Sequence, residues 1–228
     1  MRYMLGHLME NINKGLLHRA FSAFVFHPKS GKLLLQQRAA EKITFSNMWT
    51  NTCCSHPLDD AAEEKIEEEQ RGVKVAARRK LEQELGIPQN QTPIDEMQYL
   101  TKIHYLAPST ELWGEHEGEG SLRGFDILME RSLTYGFPLV DYILFICADV
   151  TVKPNPNEIR DHRYVSKQEL IEMLEAPGNR FTPWFELIAR DFLFGWWDEL
   201  LNRRGADGTL DARSLAGLVD GSKVIKMV

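Results

Sequence analysis

At 228 residues, with 43% hydrophobic and 26% charged side chains, the chain has the composition of one ordinary globular domain and is too short for two developed catalytic domains. A formal net charge of -6 argues against a nucleic-acid backbone as the partner, and no apolar run approaches the ~18 residues of a membrane span. Residues 1–10 carry His7 and Glu10 in a weakly apolar stretch, unlike a secretory leader. Three cysteines, two of them adjacent, suit a reducing compartment, so the expected location is cytoplasmic, with plastid or peroxisome left open.

In chain order, residues 21–26 and 32–37 read as strands joined by the turn His27-Pro28-Lys29-Ser30-Gly31. Residues 49–55 and 98–106 read as further strands, with the acidic stretch 59–70 between them a solvated loop with some helix. Ala77, Leu81 and Leu85 line one face of a helix over 73–85, which Gly86 ends. Residues 142–150 form a nearly continuous apolar strand in which Cys147 reads as a small buried apolar residue, and 154–157 are a turn. Ser166-Lys167-Gln168-Glu169 is a capping box opening a helix to about Leu174, and Thr182-Pro183 places a capping hydroxyl before a proline at the first helical position. Phe185, Ile188, Phe192, Trp196 and Leu200 then recur at helical spacing as one long core-facing helix. The expected architecture is a single α+β domain over 1–204, a mixed β-sheet flanked by α-helices, with 205–228 a peripheral C-terminal tail.

The chemistry concentrates in a few short stretches. Cys54 and His56 lie two apart in a strand and face one way, which suits a nucleophile and base, a metal site, or simple packing; an isolated pair of this kind is most often packing. Glu115 and Glu117 share the same spacing, and two carboxylates on one side repel unless solvent or a cation lies between them. With His7, His18 and His56 they make five nitrogen and oxygen donors suited to a divalent metal. Spacing alone does not assemble them, because the segments are far apart.

The segments G-L-L-H-R-A-F, L-L-L-Q-Q-R, T-N-T-C-C-S-H-P-L, W-G-E-H-E, D-Y-I-L-F, P-N-P-N-E and T-P-W-F resemble those of the type I isopentenyl diphosphate isomerases, a family with a Nudix-like fold, over roughly residues 7–201. The resemblance implies a metal-dependent isomerase acting on a small allylic or homoallylic diphosphate, and a monomer is expected. It implies a Zn2+ or Mn2+ ion held by His7, His18, His56, Glu115 and Glu117, and Mg2+ held by Glu84 and bridging to the diphosphate. It maps the catalytic cysteine to Cys54, with Cys53 on the opposite face, and the opposing acid to Glu117 assisted by Tyr105. Trp184 would face the cationic carbon. Arg38, Lys42 and Lys80 would contact the diphosphate, with lysine at position 80 where relatives often carry arginine. Residues 118–139 separate Glu117 from a strand that follows it closely in the family, so they read as an insertion, either a true loop or unspliced sequence translated in frame.

Two rival readings remain at this point. A Nudix pyrophosphohydrolase would carry more acids than Arg79-Lys80-Leu81-Glu82-Gln83-Glu84-Leu85-Gly86 offers, since Lys80 and Gln83 stand at acid positions. A structural zinc module using Cys53, Cys54 and His56 would need a fourth ligand at ordinary spacing, and the sequence has none.

Overall fold

The computed structural model describes residues 18–42, 44–105, 139–217 and 224–227. The strands are β1 (His18–Phe26), β2 (Leu33–Arg38), β3 (Trp49–Thr50), β4 (Cys53–Ser55), β5 (Gln98–Tyr105), β6 (Leu139–Cys147), β7 (Ile159–Val165) and β8 (Val224–Met227). The helices are α1 (Arg71–Leu85), α2 (Lys167–Glu175), α3 (Pro183–Ile188) and α4 (Phe194–Asn202). Among the described residues they build one mixed sheet in the order β3-β2-β1-β6-β5-β8, with β4 attached to β1 and β7 to β2. β1 and β6 run parallel, as do β5 and β8, and the other pairs are antiparallel. The α+β expectation holds.

β1 is apolar on both faces because both are covered. Phe21, Ala23 and Val25 face α1, where Val73, Ala77, Leu81 and Leu85 pack on them. Phe24 and Phe26 face the C-terminal helices and meet Phe145, Phe185 and Trp197. Trp197 is fully buried, its ring centroid 5.1 Å from that of Phe26, and its indole N–H donates to the Gly31 carbonyl at 2.9 Å, which ties α4 to the first hairpin. α1 ends as expected at Gly86, whose φ of 63° is cheap only for glycine.

Several local expectations are corrected. The single strand expected over 49–55 is broken at Asn51-Thr52, whose side chains replace the ladder: Thr52 Oγ1 accepts from the Val25 N–H at 2.9 Å, and Asn51 Nδ2 donates to the Cys53 carbonyl at 2.8 Å. The stretch 59–70 has the expected touch of helix, two 3-10 turns, but is not solvated throughout, since Glu64 within it is buried. β7 carries Arg160, Asp161, His162 and Arg163, a polar run with no apolar alternation, yet it pairs with β2 through backbone bonds that do not depend on side chains.

The Ser166 capping box forms in both directions, whereas the Thr182 hydroxyl caps nothing: it meets the Thr50 hydroxyl at 2.8 Å. The expected long helix is interrupted by a π turn at Ala189–Leu193. That turn takes one extra residue, so after Ile188 the fully buried positions are Leu193, Trp197 and Leu200. Phe192 and Trp196, expected in the core, are only partly buried and stack on each other at 5.2 Å. Part of the segment expected to be a peripheral tail packs into the domain. Leu210, Ala212 and Leu215 enter the main core, the Leu210 N–H donates to the Pro28 carbonyl, and β8 extends the sheet beside β5.

Candidate active site

The register of the sheet sets the face on which each candidate stands. Cys53 pairs with Ala23 and Cys54 with Ser22. Alternation therefore puts Cys53 against α1, where it is fully buried with Sγ 3.7 Å from Glu84 Oε2, and puts Cys54 on the other face, partly exposed. Burial pushes the Cys54 thiol up to about 11; the Arg38 charge works against that shift, and Glu84 and Asp141 add to it. Cys54 is thus a neutral thiol in the free protein near pH 7.

A buried polar network joins the residues just before the two cysteines to α3. Thr50 Oγ1 donates to Asn51 Oδ1 at 2.9 Å, and Asn51 Nδ2 reaches the Ala23 and Cys53 carbonyls at 3.1 and 2.8 Å. Asn51 Oδ1 also accepts from the Trp184 indole N–H at 3.4 Å. The Thr182 N–H bonds to the Trp49 carbonyl, which clips the start of α3 to β3 and carries Trp184 with it. Asn51 and Thr182 sit inside two recognisable motifs, yet only the fold shows that one binds the other's neighbourhood.

The expected diphosphate cations converge on one carboxylate. Lys80 Nζ stands 2.8 Å from Glu84 Oε1, and both side chains are buried. Burial alone would raise the Glu84 pKa, but Lys80, Lys42 and Arg38 together hold it below the usual carboxylate value. Among the described residues Oε2 makes only long contacts, to Gln36 Nε2 at 3.4 Å and to the Cys53 thiol. An ionised carboxylate with one oxygen engaged by lysine and the other weakly held fits Mg2+, which takes one or two protein carboxylates and leaves its other positions to water and phosphate. Lys42 is paired with Glu158, and the Arg38 guanidinium donates to the carbonyls of Thr44 and Phe45. Glu158 and Gln36 lie inside the P-N-P-N-E and L-L-L-Q-Q-R segments, but no role at the site was expected of either.

His56 follows β4 directly, and its carbonyl accepts from Arg79 at 3.4 Å. Arg79 in turn forks onto the buried Glu64 carboxylate, which also receives the Leu58 N–H at 2.7 Å. This buried pair anchors the chain that carries His56 away from the sheet. His18 heads β1, opposite Leu139 of β6, and Tyr105 ends β5, also opposite Leu139. Their side chains, with His7, Glu115, Glu117 and most of 118–139, lie outside the described residues, and among the described residues no three potential ligands cluster. On the face shared with Cys54, Ser22 Oγ donates to Asp141 Oδ2 at 2.8 Å. Asp141 is buried, its Oδ1 has no partner among the described residues, and burial raises its pKa to about 7. A cavity of about 300 Å3 between β7 and α2, lined by Arg163, Glu169 and Met173 among others, contains none of these groups.

The NUDIX family matches residues 16–185, the stretch that holds β1 to β7, α1, α2 and the start of α3. The chain is a NUDIX-domain protein. It is 57% identical over 223 residues to the isopentenyl-diphosphate delta-isomerase of Phaffia rhodozyma, covering 97% of this chain and 79% of that one. It is 49% identical over 198 residues to isopentenyl-diphosphate Delta-isomerase 1 of Mus musculus, covering 85% and 76%. The chain belongs to the isopentenyl-diphosphate delta-isomerase family. Among solved structures, a Deinococcus radiodurans protein superimposes with a TM-score of 0.46 at 16% identity, over 77% of this chain and 83% of that one.

Proposed function

We infer that this protein isomerises isopentenyl diphosphate to dimethylallyl diphosphate. The observation that carries the reading, beside the family, is Cys54: a partly exposed neutral thiol that follows the Asn51 network holding the Trp184 indole, with the charges of Arg38, Lys42 and Glu84 acting on it.

The reaction adds a proton to the terminal carbon, leaves positive charge on the tertiary carbon, and removes a proton from the carbon next to the oxygen-bearing one. No oxidant or reductant is needed. Glu117, assisted by Tyr105, handles the proton on one face of the substrate, and Cys54 handles it on the other. The indole of Trp184 faces the cationic carbon. Arg38, Lys42 and Lys80 bind the diphosphate, and binding requires Lys42 to exchange Glu158 for phosphate oxygens. His7, His18, His56, Glu115 and Glu117 would hold Zn2+ or Mn2+, and Glu84 would hold Mg2+. When bound, these ions supply counter-charge to the diphosphate and polarise the acid. The chemistry requires that water be kept from the site, because it would otherwise capture the cation.

The test is incubation of purified protein with isopentenyl diphosphate and Mg2+, followed by NMR. Dimethylallyl diphosphate is expected to accumulate, with chelator stopping the conversion. Release of inorganic phosphate or pyrophosphate without isomer would sink the reading.

A further inference from the structure

Between β2 and β3, the described residues 39–42 and 44–48 belong to a loop and include two non-glycine residues in the left-handed region, Phe45 at φ 52° and Asn47 at φ 59°. Bulky side chains avoid this region, and such conformations persist only where the surroundings over-determine them. Here they do. Arg38 Nη2 donates to the Thr44 carbonyl at 2.9 Å and Arg38 Nε to the Phe45 carbonyl at 3.1 Å. Gln37 Nε2 donates to the Asn47 carbonyl at 2.9 Å, and Arg160 holds Asn47 Oδ1 at 2.7 Å.

The strained backbone decides where the Phe45 ring points. It stands perpendicular to the Trp184 indole, with planes at 87° and centroids 5.0 Å apart. This is a favoured geometry for two aromatic rings, in which a positive edge meets a negative face. The indole is also packed in part against the main core, and its N–H bonds to Asn51 Oδ1 at 3.4 Å, near the limit of usefulness. Of its two directional contacts, the ring contact is the firmer.

We propose that Phe45 is a positioning residue for the isomerisation: it sets the plane of the Trp184 indole from a loop that the diphosphate-binding Arg38 holds in place. The inference rests on the functional reading above, which gives Trp184 and Arg38 their roles. A cation is stabilised only over the face of an indole, within about 6 Å of its centroid, whereas the edge of the ring is positive and repels it. Loss of Phe45 thus weakens stabilisation of the cation while leaving the diphosphate contacts in place, so the effect falls on kcat rather than on KM.

The experiment compares Phe45→Leu and Phe45→Tyr with wild type, and repeats Phe45→Leu in a Trp184→Phe background, following turnover of isopentenyl diphosphate and melting temperature. Leucine keeps the apolar volume and loses the flat ring. It is expected to lower kcat ~10-fold or more with KM within about twofold, in line with the cost of small misplacements near a reacting centre. Tyrosine keeps the ring and is expected to stay within about threefold of wild type. In the Trp184→Phe background the further loss from Phe45→Leu is expected to shrink to less than about twofold, because residues acting through each other are not additive. A fully active Phe45→Leu enzyme, a loss confined to KM, an equal loss in both backgrounds, or a tyrosine variant as impaired as leucine overturns the proposal. A wild-type chain that makes no dimethylallyl diphosphate overturns the functional reading itself, and this inference with it.

Discussion

Lys80 and Glu84 sit one turn apart on the buried side of α1 and hold each other at 2.8 Å, with 11% and 3% of their side chains open to solvent. Removing one partner of such a pair strands the other as a buried charge, at a typical cost of about 3–5 kcal/mol. Lys42 and Arg38 still act on Glu84, so Lys80→Met is expected to cost somewhat less, about 2–3 kcal/mol, in urea unfolding. The Lys80→Met/Glu84→Gln double variant is expected to recover part of that loss while remaining inactive. A single variant as stable as wild type would show that the pair is not coupled.

The two cysteines separate chemistry from packing. Cys54→Ala is expected to reduce turnover by at least ~10²-fold, the low end for a positioned proton donor or acceptor. Cys53 lies on the α1 face with its thiol against Glu84, so Cys53→Ala is expected to lower the melting temperature while keeping most of the activity. Equal activity losses at both positions would break the assignment of faces to roles.

Asp141 predicts a pH dependence of stability. Its folded pKa, about 7, lies above the ordinary value of 3.8 because burial penalises the charged form. At low pH the group is protonated whether the chain is folded or not, and costs nothing. As pH rises from 3.8 towards 7 the unfolded chain loses this proton first, so stability falls, and the penalty levels off above pH 7. Asp141→Asn removes this penalty. Its stability relative to wild type is expected to be about 2.5 kcal/mol more favourable at pH 8 than at pH 5, measured by urea unfolding at both. A difference that is flat with pH would mean that Asp141 stays ionised in the folded protein.

Residues 118–139 are expected to be dispensable. Leu139 stands opposite both His18 in β1 and Tyr105 in β5. Joining Glu117 directly to Val140 would put Glu117 at that register position, between the two strands carrying residues assigned to work with it. A closed loop of this length costs only about 3 kcal/mol, so the full chain can fold around the segment. The excised protein is expected to be at least as active and as thermally stable as the full chain, by isomerase assay and melting curve. If it loses metal or activity that the full chain keeps, the segment is an integral part of the enzyme.

The sequence by itself determined much of this protein. The hairpin of β1 and β2, α1 with its glycine stop, and the Ser166 capping box were legible because each follows from local rules: alternation, turn chemistry and hydrogen bonds between near neighbours. The opposite faces of Cys53 and Cys54 were legible for the same reason. What only the tertiary structure decided depends on partners distant in sequence. β7 is a strand because the edge of β2 offers backbone bonds, not because Arg160–Arg163 prefer to be extended. The π turn at Ala189–Leu193 shifts the buried stripe onto Leu193 and Trp197, where α4 can reach Phe26 and Gly31. Thr182 gives its hydroxyl to Thr50 rather than to its own helix, and Leu210 and Leu215 fill a core that no pattern in their own segment foretold. The same holds at the site: Lys42 with Glu158, Glu64 with Arg79, and Phe45 against Trp184 join residues 116, 15 and 139 positions apart, and sequence carries no record of such encounters until folding closes the distance.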